Sequence, residues 1–255
     1  MTQNDLFLQW LSEEQAAYIH GWDFSHIQDR YEECQSLPWD YGQAVHDLLR
    51  PTHRILDMDT GGGEFLLSLG HPHSLTAATE GYPPNIALCR KVLLPLGIDF
   101  RGADGGGPLP FPDESFDLVL NRHGDYLPSE ILRVLKPGGI FLTQQVGAEN
   151  DRDLVELLLN PAPPLPFPEQ YLDIARKKLE FLGLRILEAQ ESFQPIRFWD
   201  TGALVWFARI IAWEFPGFSV EACREQLLNA QALLERDGVI QGTAHRYFLV
   251  AEKVG

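Results

Sequence analysis

Three carboxylates and a glycine triplet stand where a small charged ligand could be gripped. Asp57 and Asp59 belong to the run Arg54-Ile-Leu-Asp-Met-Asp-Thr-Gly-Gly-Gly-Glu-Phe-Leu66, and Glu80 closes the run Ser74-Leu-Thr-Ala-Ala-Thr-Glu80. Gly61 and Gly63 permit positive φ and let the backbone approach a ligand closely. A helix opening behind them would offer free N–H groups and the positive end of its dipole to an anion. Glu80, about 17 residues beyond the glycines, is spaced to hold two ribose hydroxyls. Strand, glycine turn and helix together describe a nucleotide-type site at the carboxyl end of a parallel sheet.

A second source of chemistry is the stretch Asn121-Arg-His-Gly-Asp-Tyr126. The imidazole of His123 titrates in the range that suits a general base acting on a protonated acceptor. Its plainer role is to fix the loop by hydrogen bonding, and both readings stand. His71-Pro-His73 lacks partners at any metal-ligand spacing, so no metal is expected and both histidines read as solvated loop residues.

The elements that must position these residues alternate along the chain. Short apolar runs predict strands near 53–58, 74–80, 98–102, 116–121, 138–146, 184–191 and 245–252. Helices are predicted near 42–49, 62–69, 84–95, 128–135, 151–159 and 168–182. That alternation marks a doubly wound α/β sheet. Residues 1–38 precede it with imperfect helical spacing. Residues 193–243 interrupt it before the last strand, and residues 193–218 hold eight of the 28 aromatics. Leu204, Phe207 and Ile211, with Glu225, Leu228 and Ala232, suggest two amphipathic helices there. They form either an apolar lid over an acceptor or a satellite core of their own.

Five segments, in order, resemble a class I S-adenosylmethionine (SAM)-dependent methyltransferase of the type 11-like group. They are Asp57 to Gly63, Glu80, Gly102-Ala-Asp104, Pro110 to Asn121, and Arg133-Val-Leu-Lys-Pro-Gly-Gly-Ile-Phe-Leu142. The resemblance covers roughly residues 39–146. It implies one Rossmann-like methyltransferase domain over 1–255: a seven-stranded, mostly parallel sheet whose last strand runs antiparallel at an edge. The N-terminal 1–38 segment and the 193–243 insertion would be helical caps. It further implies SAM as cofactor, held by Asp57, Asp59, Gly61, Gly63, Glu80, Gly81, Asp104 and Asn121. Glu80 would meet the ribose and Asp104 the adenine, with the glycine turn at the methionine end. In related proteins the segment before the first strand folds over this pocket, which makes Trp39 and Tyr41 candidate walls. The sequence departs from the family at Asp59, which replaces the first motif glycine. Its carboxylate either adds charge toward the methionine ammonium or obstructs the site.

Composition bounds what such a protein acts on. With 20 basic and 36 acidic residues the net charge is −16, which disfavours an extended nucleic-acid substrate. Cys34, Cys89 and Cys223 form no Cys-x-x-Cys pair and read as reduced thiols of a cytoplasmic protein. The start lacks a signal-peptide pattern, and no apolar run reaches the ~18 residues of a membrane span. The expected function is methyl transfer to a small-molecule acceptor. The alternative is a non-catalytic or degenerate SAM-binding relative. A nicotinamide-dependent oxidoreductase also has a glycine turn and a ribose-binding acid, but Leu66 stands where its third glycine belongs. Oligomeric state is not legible.

Overall fold

The computed structural model describes residues 2–18, 23–33 and 36–255. Cys34 lies outside them. The chain divides into two compact units. One comprises Pro38–Gly147, Glu169–Glu191 and Arg246–Gly255, and the other Met1–Leu37, Ala148–Pro168 and Ser192–His245.

The larger unit carries the alternation. Its parallel strands are β2 (Ile55–Met58), β3 (Thr76–Glu80), β4 (Asp99–Gly102), β5 (Phe116–Arg122) and β6 (Leu135–Val146). β2 and β3 are buried at every position, as parallel strands covered on both faces must be. Leu56, Val119, Phe141 and Leu249 belong to one apolar core on these strands. The helices begin where their sequence allows. Asp40 caps α2 (Tyr41–Leu48) by accepting from the Gln43 N–H at 3.0 Å. Pro83 and Pro128 open α4 (Pro83–Val92) and α5 (Pro128–Val134), where a missing N–H costs nothing. α7 (Leu172–Phe181) completes the unit's helices of more than one turn after α3 (Glu64–Ser68).

Two long strands, β7 (Leu184–Phe198) and β8 (Ile240–Lys253), contribute residues to both units. The hydrogen-bonded order of the eight strands is β1-β7-β8-β6-β5-β2-β3-β4, where β1 is Tyr31–Glu33. The α/β class and the reversed last strand agree with the sequence reading: β8 pairs antiparallel with β6, Gln145 opposite Tyr247. Three details are corrected. There are eight strands rather than seven, β8 lies inside the sheet rather than at its edge, and the 193–243 segment is not wholly helical. Residues 193–198 prolong β7, and β1 pairs antiparallel with them, Tyr31 opposite Phe198. Pro195 masked this extension, since proline argues against a strand interior, but it sits just beyond the β1 pairing.

The smaller unit has its own core. α1 (Gln3–Ala16), α6 (Arg152–Leu158), α8 (Thr201–Ile210) and α9 (Arg224–Asp237) supply it. Trp10, Phe198, Trp206, Phe207, Phe215 and Phe218 are all buried in one cluster. Phe198, Trp206, Phe207, Phe215 and Phe218 of the aromatic insertion thus serve a satellite core, while Phe193, Trp199 and Trp213 are exposed. Arg30 joins its polar rim, with Nη1 at 2.7 Å from Glu13 and 2.6 Å from Asp200, the residue that caps α8.

Candidate active site

The ends of β2, β3, β4 and β5 bring the sequence-predicted acids together. Asp57 is buried, and its Oδ2 accepts from the Thr60 hydroxyl at 2.7 Å. Burial pushes its pKa up to about 6, against the Thr60 hydrogen bond and the Arg122 charge. The chain then turns through Gly61 (φ +64°) and Gly63 (φ +87°), left-handed conformations that suit glycine.

Glu80 ties that turn to the end of β3. Its Oε2 accepts from the Gly61 N–H at 2.8 Å, and its Oε1 accepts from the Tyr82 N–H at 2.8 Å. Asn85 Nδ2 adds a longer bond to Oε2 at 3.4 Å. Oε1 has thus used one of its two lone pairs, leaving an anchored charged acceptor for a ligand hydroxyl. Behind the turn, the buried Cys89 thiol donates to the Gly61 carbonyl at 3.1 Å. Burial first, then Glu80, Glu64 and Asp57, push that thiol up to about 11, so it remains a protonated donor at neutral pH.

The expectation of an anion at the helix start is corrected here. α3 has five residues, Glu64–Ser68. The Gly61 amide is spent on Glu80, and the Gly63 amide donates to the Thr60 carbonyl at 3.0 Å. The turn instead faces acids. Asp59 is half-buried at φ +53°. Burial pushes its pKa up to about 7, with Glu80, Asp104, Asp125 and Asp57 adding to the shift. Its side chain is taken up by glycines of two neighbouring loops. A Cβ on Gly124 would stand 2.6 Å from the Asp59 Cβ, and one on Gly105 2.8 Å from its Oδ2.

Asp104 is exposed and accepts from the Gly106 N–H at 2.9 Å, which fixes its loop in a tight turn. The Ala103 N–H donates to the Glu80 carbonyl at 3.0 Å, setting that loop beside β3. A Cβ on Gly81 would come within 3.2 Å of the Asp104 Cα, so the two predicted positions are neighbours. Asn121 pairs in register with Met58 and is fully buried. Its Oδ1 accepts from Thr143 Oγ1 at 3.1 Å and from Gln145 Nε2, which also donates to the Gly124 carbonyl at 3.0 Å. Its Nδ2 is buried without a partner among the described residues.

His123 stands apart from the acids, at φ +63°. Its N–H donates to the Gln144 carbonyl at 2.8 Å, and its Nε2 is 3.0 Å from Gln144 Nε2. Gln144 Oε1 accepts from Trp39 Nε1 at 2.7 Å, which turns the Gln144 amide nitrogen, a donor, toward the imidazole. His123 Nε2 is therefore the acceptor of a neutral ring. The crowding of protein atoms around the ring comes first in holding its pKa below the usual range, and Arg246 and Arg122 add to it. The Gln144 amide donor likewise favours the neutral ring of this otherwise exposed residue. Trp39 thus acts by orienting Gln144, while Tyr41 is buried with its ring 5.4 Å from that of Phe65.

Sequence reasoning missed Asp125, Gly105, Gly124, Gln144 and Gln145. The triplet Gly105-Gly-Gly107 after Asp104 was the available signal for a second close approach. Nothing local marked the glutamines, which act across strands. His71 is buried rather than solvated, bonded to the His53 carbonyl at 2.8 Å, while the exposed His73 is bonded to the Leu96 carbonyl at 3.1 Å.

Known proteins resemble this chain in sequence and in fold. The family described as "Methyltransferase domain" matches residues 56–143. The phthiotriol/phenolphthiotriol dimycocerosates methyltransferase of Mycobacterium tuberculosis is 39% identical over 88 residues, 32% of each chain. The demethylmenaquinone methyltransferase of Deinococcus radiodurans is 32% identical over 111 residues, 40% of this chain and 46% of that one. The match therefore spans less than half the length of these curated relatives. Among solved structures, a functionally unknown protein from Deinococcus radiodurans covers 96% of this chain and 97% of its own, at 17% identity and a TM-score of 0.60. A Bacillus halodurans protein provisionally assigned to the methyltransferases covers 85% of this chain and 99% of its own, at 18% identity and a TM-score of 0.58. At such identities the structures speak for the fold. Residues 56–143 thus match the methyltransferase-domain family in sequence, and the strand order and glycine turn agree with the fold of the solved structures.

Proposed function

We propose that this protein transfers the methyl group of SAM to a small-molecule acceptor. The observation that carries the reading is Glu80, a buried carboxylate locked by two backbone amides beside the glycine turn. SAM carries a sulfonium and an ammonium, and Asp57, Asp59, Asp104 and Asp125 give the site the opposite charge. Gly61 and Gly63, with Asp59, would line the methionine end, Glu80 the ribose, and Gly81 with Asp104 the adenine. Asn121 supports the floor through Thr143 and Gln145.

SAM supplies an already activated methyl group, so the protein has to align an acceptor lone pair behind it and exclude water. His123 is the sequence-predicted base for an acceptor that must lose a proton, but its one ring lone pair is engaged by the Gln144 amide, which favours its loop-fixing role. The non-catalytic reading rested on Asp59, whose side chain packs beside Gly124 and Gly105.

The small-molecule character of the acceptor is supported by the acidic balance of 20 basic against 36 acidic residues, which disfavours extended nucleic acid. No helix among the described residues is long and apolar enough to cross a membrane. A cytoplasmic location belongs to the same proposal and rests on the sequence. Two curated relatives are named as methyltransferases of phthiotriol/phenolphthiotriol dimycocerosates and of demethylmenaquinone, and such acceptors belong in the first screen of candidates. The test is a thermal-shift series with SAM, its demethylated product S-adenosylhomocysteine, NAD and NADP. Stabilisation by the first two alone supports the reading, and stabilisation by a nicotinamide nucleotide instead would overturn it.

A further inference from the structure

We propose that Arg122 and Tyr41 form a grip for the carboxylate at the amino-acid end of the cofactor. The inference rests on SAM being the ligand and assigns two residues to the carboxylate of its methionine end, for which the glycine turn and Glu80 provide no charged donor.

Arg122 ends β5, beside the turn. Its guanidinium carbon lies 5.7 Å from the centroid of the Tyr41 ring and 5.3 Å from that of Phe65, so two aromatic faces hold it in place. It makes no ion pair with any described residue, although this chain is rich in acids. Asp57 feels its charge without reaching salt-bridge distance. Arg122 is exposed, and a guanidinium set over two rings and unpaired among the described residues presents a planar fork that matches a carboxylate.

Tyr41 supplies the second, independent observation. It is 6% exposed, and its hydroxyl is buried with no hydrogen-bond partner among the described residues. Burial, and then Asp57, push its ionisation well up, so the hydroxyl is a donor that wants an acceptor. Donors of native proteins are seldom left in that state, and a ligand oxygen satisfies it.

The two donors complete a polarity in the site. Acids gather at Asp59, Glu80, Asp104 and Asp125, whereas the one guanidinium beside Asp57 stands over Tyr41 and Phe65. A zwitterionic amino-acid end, ammonium toward the acids and carboxylate toward Arg122, fits this polarity.

The test compares S-adenosylhomocysteine with 5′-methylthioadenosine, which keeps the nucleoside and thioether but lacks the amino-acid end. Calorimetry on the parent, Arg122→Gln and Tyr41→Phe reads both affinities. Arg122→Gln is expected to weaken S-adenosylhomocysteine by about tenfold or more, with 5′-methylthioadenosine within about twofold. Tyr41→Phe, which only removes the orphan hydroxyl and keeps the ring, should weaken the same ligand by about threefold or more and spare the other. Parallel losses for both ligands, or no loss for either, would overturn the grip while leaving SAM as the ligand. That outcome also covers an arginine that holds the acceptor's carboxylate instead. A parent that binds neither ligand would overturn the SAM reading itself.

Discussion

The Asp59 side chain rests directly on the backbone of Gly124. A Cβ at Gly124 would lie 2.6 Å from the Asp59 Cβ and 2.8 Å from its Cγ, closer than real atoms approach. The residue that breaks the family glycine pattern is therefore matched by a glycine in the loop after β5. Gly124→Ala should cost about 1–3 kcal/mol through this overlap. Asp59→Gly should suppress most of that cost, giving a coupling of about 0.5–3 kcal/mol in a double-mutant cycle. Urea unfolding of the four proteins reads it, and strictly additive effects would show that the two residues do not meet.

The same carboxylate makes stability depend on pH. The folded-state values of Asp57 and Asp59 are raised from 3.8 to about 6 and about 7. Between the unfolded and folded values the native state holds protons that the unfolded chain has released. Their contribution to stability is therefore greatest at acid pH and declines as pH rises from about 4 through about 7. Melting temperatures at constant ionic strength should fall across that window, and Asp59→Asn should flatten the fall. An unchanged slope in Asp59→Asn would remove Asp59 from the titration. Saturating SAM, whose cationic groups favour the ionised carboxylates, should lower the folded-state values and shrink the decline.

How much of this could be read in the sequence differs from residue to residue. Asp57, Glu80 and Asn121 lie at or next to the ends of strands whose apolar runs are local and unmistakable, so their convergence at the carboxyl ends of neighbouring strands follows from the fold class. Gly61 and Gly63 announce positive φ by their type. Asp125, Gly105 and Gly124 act through contacts between loops far apart in the chain, and such contacts leave no periodicity to detect. β1 has three residues, too few for an alternation, and Pro195 disguised the end of β7. The aromatics of the insertion were visible as a composition bias, but only the packing distinguishes a lid from a core. Every residue of α8 from Thr201 to Ala208 is buried, Trp206 and Phe207 included, so that helix is covered all round.

His123 is reached through two intermediaries, and this gives a third expectation. Trp39→Phe keeps the stack on Phe248, 5.7 Å between centroids, but leaves Gln144 Oε1 without its indole donor. The buried amide oxygen then lacks its partner, which should cost about 1–3 kcal/mol. Chemical denaturation measures this. A change below about 0.5 kcal/mol would mean that the Trp39–Gln144–His123 chain does not order the loop.

The most direct test of SAM as the ligand is its affinity for the parent and for Glu80→Ala, measured by titration calorimetry at neutral pH. Loss of the carboxylate removes charged hydrogen bonds of about 1.5–3 kcal/mol, so the dissociation constant should rise by about tenfold or more. Because Glu80 also accepts from the Gly61 and Tyr82 amides, a circular dichroism spectrum must first show that the variant is folded. Binding by the parent and a loss of this size in folded Glu80→Ala is the expected result. A parent without SAM affinity, or a folded Glu80→Ala that binds SAM as well as the parent, would contradict it.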